Sequence, residues 1–389
     1  MQYEIELSTD QRFALTQLVG WRERNISSYI TLGGYAGTGK TTLIAVFRRI
    51  LYKQNSKLKI AFCSYTGKGT LVLKNKLKEL DAIYKGDSVS TIHGLVYEPI
   101  ENKNQQIVGW QKKPEVKTDL IIVDEASMID ENIWQDLRSY NIPIIAIGDH
   151  GQLPPINGIL SLMQEPNIKL TTIHRQAENN PIIKLATLAR TDGKIDPGKY
   201  GKFVRKYSRN DLDFSEAIES LLLTYNEDTM ILCGYNHTRV SLNTQIRYHL
   251  GFEDTEPCVG DKVICLRNNH AKGIFNGMLG KIKYIEDGGS DSYFCEIELD
   301  GNKRYKGEIF KEQFNAKDAI NFTKDRKKLK DRDIFDFGYA LTVHKAQGSE
   351  AEKVILFEER FKQMDDENWK KWLYTAVTRA KTELYIFGD

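Results

Sequence analysis

One short run near the N-terminus constrains the fold more than any other part of the sequence. Residues 34–41 read Gly-Tyr-Ala-Gly-Thr-Gly-Lys-Thr, between an apolar run at 29–32 and a stretch at 42–51 that favours a helix. The spacing G-x-x-x-x-G-K-T lets successive backbone N–H groups turn toward a phosphate, and the start of the following helix adds its positive dipole. The run therefore predicts a phosphate-binding loop between a strand and a helix, with an ordinary glycine-rich turn as the alternative.

The lysine and threonine that end this loop have separate expected contacts. Lys40 is expected to reach the β- and γ-phosphates of a nucleotide, and the Thr41 hydroxyl is expected to bind Mg²⁺. ATP and Mg²⁺ are thus the predicted ligands. The residues expected to bind the nucleotide along this run are Gly34, Ala36, Gly37, Thr38, Gly39, Lys40, Thr41 and Thr42.

Two acidic residues, Asp124 and Glu125, follow directly after the apolar run 120–123. Ligands of parallel sheets bind at the carboxyl ends of the strands, so we expect these carboxylates to lie near the phosphate-binding loop. Asp124 is the predicted Mg²⁺ partner, and Glu125 is the predicted base that orients the attacking water. The alternative is an acidic cap at the start of a helix.

Short apolar runs alternate with helix-like stretches in two separate regions of the chain. Such runs are typical of parallel strands that are covered on both faces. The sequence therefore predicts an α/β protein with two similar lobes and a cleft between them. The predicted strands are 29–32, 59–62, 120–123 and 144–147 in the first region, and 230–233, 353–357 and 384–387 in the second.

Each region is interrupted by a segment of different texture. Residues 98–114 are polar and bounded by prolines, which fits a hairpin or a loose loop. Residues 257–333 are rich in glycine, alternate in polarity and carry an Asp-Gly turn at 300–301, which predicts a small antiparallel barrel. Within 303–332 there are 11 Lys and Arg against 5 Asp and Glu. This local excess would attract a polyanion, although a solvated strand edge is the alternative.

Composition narrows the class of protein. Of the 389 residues, 41% are hydrophobic and 28% are charged, which excludes wholesale disorder. The longest apolar runs are far below the roughly 18 residues of a membrane span, and the N-terminus does not resemble a signal peptide. Five scattered cysteines favour neither a disulfide framework nor structural zinc. We expect a protein of a reduced, intracellular compartment.

Four runs resemble motifs of superfamily 1 helicases, in that family's order: 122–128 (motif II), 147–155 (motif III), 339–350 (motif V) and 374–380 (motif VI). The motif sequences are most similar to those of the 5′→3′ branch, the RecD and phage Dda helicases, and the resemblance spans about residues 7–388. It implies two RecA-like lobes, a pin-like hairpin insertion and an SH3-like β-barrel insertion. The implied domains are 1–83 with 117–178, 84–116, 179–254 with 335–389, and 255–334.

The resemblance also implies roles for side chains around ATP. Gln11 would read the adenine, and Gln152 would contact the γ-phosphate and sense hydrolysis. Arg175 and Arg379 would face the γ-phosphate, with Arg379 acting as an arginine finger from the second lobe. Glu350 would contact the ribose. The alternatives are a polar helix face for Gln11, surface salt bridges for the arginines and a solvent-facing side chain for Glu350.

Further positions match the strand-binding motifs of the family. Thr66 and Lys68 would bind backbone phosphates without reading sequence. Loop capping is an equal alternative for Asn268 and Asn269. The implied nucleic-acid contacts are Tyr65, Thr66, Lys68, Thr91, His93, Asn268, Asn269, Thr342 and His344, with Tyr97, Trp110 and Phe275 as candidate stacking platforms.

These features together predict an ATP-driven helicase that moves 5′→3′ on single-stranded DNA and unwinds forked duplex DNA, with residues 97–114 as the separating pin. A monomer without a membrane partner is expected, and replication or repair proteins are candidate partners. The alternatives are a translocase that displaces proteins, and a phosphotransferase that uses no nucleic acid. Polarity follows from the likeness alone, and RNA stays open because phosphate contacts do not report the 2′-hydroxyl.

Overall fold

The structure is a computed structural model. It describes residues 6–24, 27–101, 107–154, 162–173, 179–267, 269, 272–274, 276–300, 303–317, 329 and 332–389. Within these ranges, every helix is too short or too polar to cross a bilayer.

The first lobe is built on a parallel sheet of six described strands, in the order β3-β2-β6-β7-β1-β8. The strands predicted at 29–32, 59–62, 120–123 and 144–147 are confirmed as β1, β2, β6 and β7. The strand bounds are β1 Tyr29–Gly34, β2 Ile60–Ser64, β3 Ser88–Thr91, β6 Leu120–Asp124, β7 Ile144–Gly148 and β8 Ile168–Leu170.

Helices cover both faces of this sheet because its central strands are apolar on both sides. Ile122 packs with the helices α1 to α3 on one face, whereas Ile121 and Val123 pack with α4 and α5 on the other. This division follows the two-residue repeat of a strand. The helices are α1 Thr9–Arg24, α2 Lys40–Gln54, α3 Gly67–Glu79, α4 Ile92–Val96 and α5 Glu131–Arg138, with a 3-10 turn at Ala126–Met128.

A two-stranded antiparallel hairpin leaves the first lobe. Its strands are β4 Tyr97–Glu101 and β5 Ile107–Lys112, paired from Tyr97 opposite Lys112. Strand β3 falls inside the segment 84–116 that the sequence assigned to the insertion, yet it pairs with β2 in the parallel sheet. The hairpin proper therefore begins at Tyr97.

The second lobe has a sheet of the same design, in the order β17-β11-β18-β19-β10-β9, in which the outer pair β10 and β9 is antiparallel. The predicted strands 230–233, 353–357 and 384–387 are confirmed. The strands are β9 Gly198–Gly201, β10 Val204–Tyr207, β11 Thr229–Cys233, β17 Ala340–Thr342, β18 Ala351–Phe357 and β19 Ala380–Phe387; the helices are α6 Pro181–Thr191, α7 Phe214–Leu223, α8 Asn236–His249 and α9 Asp366–Val377.

A five-stranded antiparallel sheet is inserted into the second lobe, in the order β15-β14-β13-β12-β16. A parallel bridge between Ile309 and Asp333 joins β15 to the chain that enters β16. Two buried ion pairs, Arg239–Asp336 and Arg247–Asp261, tie α8 to the base of this sheet. The strands are β12 Lys262–Cys265, β13 Leu279–Asp287, β14 Ser292–Leu299, β15 Lys303–Phe310 and β16 Phe335–Phe337. A 3-10 turn at Lys311–Gln313 follows β15.

Candidate nucleotide site and nucleic-acid interface

The phosphate-binding loop lies between β1 and α2, as the sequence predicts. Gly37 and Gly39 have φ of 81° and 71°, a left-handed backbone that glycine adopts without steric cost. A Cβ atom on Gly34 would lie 2.7 Å from the Thr38 hydroxyl oxygen. The shape of the loop therefore depends on all three glycines.

The loop and the start of α2 present donors to an anion. The Lys40 Nζ donates to the carbonyl oxygens of Gly34 at 2.7 Å and Tyr35 at 3.1 Å. Gly39 is the N-cap of α2 and has no side chain that could cap the helix. Since the first N–H groups of a helix have no partner within it, this end fits a phosphate group.

Gln11 is fully buried behind the loop. Its Nε2 donates to the carbonyl oxygens of Thr38 at 3.1 Å and Gly39 at 3.3 Å, and its Oε1 accepts from the Ser8 N–H at 3.0 Å. Both ends of the amide are thus bound to backbone, and Gln11 braces the loop. Its reading of adenine stays a prediction.

Asp124 and Glu125 lie at the carboxyl end of β6, next to the loop. Glu125 has a φ of 57° and its N–H donates to the Asp124 Oδ1 at 3.1 Å. Burial raises the pKa of both carboxyls, that of Glu125 to about 7, with the Asp124 charge adding to the shift. The Lys40 charge opposes both shifts. Together with Thr41, these hard oxygen donors fit Mg²⁺.

Two residues of the second lobe place their charges near this acidic pair. Arg379 is 3% exposed, and its charge opposes the rise of the Glu125 pKa. Its guanidinium donates to the carbonyl oxygens of Thr375 at 2.9 Å and Ser349 at 3.1 Å. The Glu350 charge adds to the rise of the Asp124 pKa, which places Glu350 near the acidic pair.

Arg175, the other predicted arginine, lies outside the described residues.

The motif III segment follows β7 and is held by the second lobe. The Leu153 N–H donates to the Thr375 hydroxyl at 2.9 Å, and the Gln347 amide donates to the Leu153 carbonyl at 2.6 Å. Gln152, the predicted sensor, is 9% exposed beside them. The structure therefore brings Lys40, the acidic pair and Gln152 of the first lobe to one cleft with Arg379 of the second lobe.

Tyr374 and Asp149 were missed as site residues by sequence reasoning. The Tyr374 hydroxyl accepts from the Ala36 N–H at 2.8 Å and donates to the Asp149 carboxylate at 2.6 Å. Both residues stand inside runs that resemble motifs, and this proximity is the signal that could have pointed to them.

Several predicted nucleic-acid contacts lie together at the carboxyl ends of β2 and β3. Thr66 and Thr91 are the N-caps of α3 and α4, where their hydroxyls accept from the Gly69 and Gly94 N–H groups at 3.0 Å. The Thr66 hydroxyl also lies 3.5 Å from the Gly348 carbonyl of the second lobe. This edge of the first sheet therefore meets the motif V segment.

Aromatic side chains pack next to this edge of the first sheet. His93 is 5% exposed and stacks on Tyr97, with ring centroids 5.7 Å apart. Burial raises the pKa of Tyr65 to about 12. On the second lobe, Thr342 ends β17 and His344 follows it, and burial lowers the pKa of the His344 imidazole.

The structure describes one of the two predicted asparagines of the second lobe's insertion. The Asn269 amide donates to the Asp333 carboxylate at 2.7 Å and accepts from the Lys272 N–H at 3.3 Å. This is the loop-capping alternative. Asn268 and the Lys68 side chain lie outside the described part of the chain.

Known proteins match the chain along most of its length. A family model described as an AAA domain matches residues 6–212, and one described as a UvrD-like helicase C-terminal domain matches residues 337–387. The ATP-dependent RecD2 DNA helicase of Deinococcus radiodurans is 28% identical over 409 residues, which are 98% of this chain and 49% of that relative. The ATP-dependent DNA helicase dda of Enterobacteria phage T4 is 25% identical over 428 residues, which are 92% of this chain and 94% of that relative.

A solved structure of a Pif1 helicase from Bacteroides, in complex with ADP-AlF3 and ssDNA, aligns with 99% of this chain and 93% of its own, at 18% identity and a TM-score of 0.48. The chain spans about half the length of the Deinococcus relative.

Proposed function

The chain belongs to the AAA domain family over residues 6–212, and from this premise we propose that it is an ATP-dependent DNA helicase that moves 5′→3′ on single-stranded DNA. The resemblance of its motifs to the RecD and Dda helicases of superfamily 1 is confirmed by the relatives. Two of those relatives are named as ATP-dependent DNA helicases, which supports the same activity here.

One observation carries the proposal: the phosphate-binding loop and the motif III segment of one lobe are hydrogen-bonded to the other lobe, which also places the Arg379 charge near the acidic pair. The positive charges of Arg379 in the second lobe and Lys40 in the loop both oppose the rise of the Glu125 pKa. Because both lobes contribute residues to the site, the contacts of the bound nucleotide depend on the relative position of the lobes. This is what a motor requires, because hydrolysis must change the spacing of the lobes.

Each residue then has a chemical task. Lys40 neutralises the β- and γ-phosphates, and Glu125 accepts the proton of the attacking water. Arg379 balances the charge that develops on the γ-phosphate. Thr41 and Asp124 would hold Mg²⁺, which when bound would supply further positive charge to the phosphates.

The single-stranded DNA would lie along the carboxyl ends of the β-strands of both sheets. Thr66 and Thr91 mark that edge on the first lobe, and Thr342 and His344 mark it on the second. Contacts of this kind reach phosphates and sugars, so we propose binding that is independent of sequence.

We further propose that the lobes are RecA-like, that the five-stranded insertion is an SH3-like barrel and that the hairpin separates the duplex. Support for the last point comes from Trp110 in β5. A Cβ atom on Gly273, between β12 and β13, would lie 3.0 Å from the Trp110 ring, so the hairpin packs on the second lobe's insertion. A braced hairpin can resist the duplex as the strand is drawn past it.

The test is unwinding of forked duplexes that carry only a 5′ or only a 3′ single-stranded tail. We expect unwinding of the 5′-tailed substrate alone, in the presence of ATP and Mg²⁺. The Lys40→Ala variant should lose DNA-stimulated ATP hydrolysis, because the loop then lacks its cation.

Unwinding restricted to the 3′-tailed substrate would overturn the polarity. Wild-type turnover by the Lys40→Ala variant would overturn the assigned nucleotide site. ATP hydrolysis with displacement of a bound protein, but without strand separation, would favour the translocase alternative.

A further inference from the structure

The Tyr374 side chain joins two segments of the first lobe although it belongs to the second. It comes from α9 and is 2% exposed. Its hydroxyl accepts from the Ala36 N–H of the phosphate-binding loop at 2.8 Å and donates to the Asp149 carboxylate after β7 at 2.6 Å. The hydroxyl thus satisfies one half-buried backbone N–H and one buried carboxylate.

The same carboxylate holds the predicted sensor of hydrolysis. Asp149 Oδ2 accepts from the Gln152 Nε2 at 3.4 Å, and Asp149 Oδ1 accepts from the Gly151 N–H at 2.9 Å. The Gln152 amide is therefore oriented by the same carboxylate that accepts from Tyr374. A continuous series of hydrogen bonds therefore runs from the loop through Tyr374 and Asp149 to Gln152.

The Tyr374 ring is held in place by close packing. A Cβ atom on Gly151 would lie 3.0 Å from the rings of both Tyr35 and Tyr374, so a larger residue there would require the rings to shift. The Tyr35 and Tyr374 rings meet edge to face with centroids 6.1 Å apart, and the Arg190 guanidinium lies 3.8 Å above the Tyr35 ring. Arg190 belongs to the second lobe. The tip of the loop is thus gripped by two second-lobe side chains.

The hydroxyl keeps its proton in this setting. Burial, together with the neighbouring Asp149 charge, raises the pKa of Tyr374 well above its usual value. Because the hydroxyl stays neutral near neutral pH, it can donate to Asp149.

We propose that Tyr374 is a positioning residue for ATP hydrolysis, which orients the phosphate-binding loop and the Gln152 amide only while the two lobes are together. When the lobes separate, the Ala36 N–H and Asp149 lose their shared partner, and Gln152 loses its fixed carboxylate. Hydrolysis then depends on lobe closure through a residue that need not touch the nucleotide. This inference rests on the proposed ATP hydrolysis and goes beyond the roles that sequence assigned.

The experiment compares Tyr374→Phe with a matched variant, Tyr339→Phe. The Tyr339 hydroxyl accepts from the Lys262 N–H at 3.1 Å and donates to Asp261 at 2.8 Å, and Tyr339 is 3% exposed. It makes the same pair of hydrogen bonds, but within the second lobe. Both variants should lose similar thermal stability, so a difference in turnover reports position and not folding.

We expect Tyr374→Phe to lower kcat for ATP, measured with saturating oligo(dT), by about tenfold, with little change in KM. Tyr339→Phe should keep the wild-type kcat. Adding Tyr374→Phe to Gln152→Ala should lower kcat no further than Gln152→Ala alone, because both changes disable one series of hydrogen bonds.

Two results would overturn the role of Tyr374: equal kcat values in Tyr374→Phe and Tyr339→Phe, or losses in the double variant that multiply. A wild-type protein without DNA-stimulated ATP hydrolysis would instead contradict the proposed function itself, and the role of Tyr374 with it.

Discussion

At the scale of single residues, the cleft concentrates charge that would be unfavourable anywhere else in the protein. Asp124 and Glu125 are neighbours in a partly buried site, and burial raises the pKa of each. Lys40 and Arg379 oppose these shifts from two different lobes. Strongly shifted carboxyls in a cleft are typical of catalytic sites, since a base must hold and release a proton near neutral pH.

Removing the carboxylate of Glu125 tests its role as the base. We expect Glu125→Gln to lower ATP turnover by about 10²–10⁴-fold, because the amide accepts no proton from water. Binding of a fluorescent ATP analogue should persist, since Lys40 and the loop are unchanged. Glu131→Gln is the control, because Glu131 is exposed at the start of α5. Turnover in Glu125→Gln close to that of the control would contradict the assignment.

At the scale of elements, the hairpin of the first lobe packs against the insertion of the second lobe. Trp110 of β5 packs against Gly273, whose φ of 66° is a left-handed conformation suited to glycine. This contact gives a two-stranded hairpin a support, and isolated hairpins have marginal stability in water. The contact therefore braces the hairpin against the insertion of the second lobe.

Truncating the tryptophan should separate ATP hydrolysis from strand separation. We expect Trp110→Ala to keep wild-type DNA-stimulated ATP turnover, since the nucleotide site is untouched, and to unwind forked DNA several-fold more slowly. Trp110→Phe keeps an aromatic ring at the contact and should retain most of the unwinding rate. Equal losses of turnover and unwinding in Trp110→Ala would argue against a separating hairpin.

At the scale of the whole molecule, buried ion pairs fix the inserted sheet to the second lobe. The Arg247 guanidinium contacts both carboxylate oxygens of Asp261, at 2.9 and 3.0 Å, and also donates to the carbonyl oxygens of Asp254 and Glu256. Such a pair holds geometry even where its net contribution to stability is small, because losing one partner leaves the other charge buried.

Breaking this junction should lower stability strongly. We expect Arg247→Ala to reduce the free energy of unfolding by about 3–5 kcal/mol, measured by chemical denaturation, because Asp261 then stays buried without its cation. Arg360→Ala removes an exposed pair with Asp366 and should change stability by less than about 1 kcal/mol. Similar effects of the two substitutions would show that the junction does not hold the sheet.

Sequence reasoning located the strands and motifs whose signals are local. The phosphate-binding loop, the acidic pair after β6 and the apolar central strands were all predicted, because each depends on residues next to one another in the chain. Five strands of the two six-stranded sheets were missed: β3, β8, β9, β10 and β17. Strands β3, β9 and β10 are mainly polar, and β8 and β17 have three residues each, so none shows the apolar run of a buried strand.

The sequence alone determined where the phosphate-binding loop and the apolar central strands of each sheet would form. Only the tertiary structure decided their partners. Gln11 binds the loop backbone, Thr66 and Thr91 cap helices, and Tyr374 bonds to Asp149, 225 positions away in the chain. The reason is physical: local spacing sets the backbone of each segment, whereas a side chain's partner depends on how two separately formed sheets face each other.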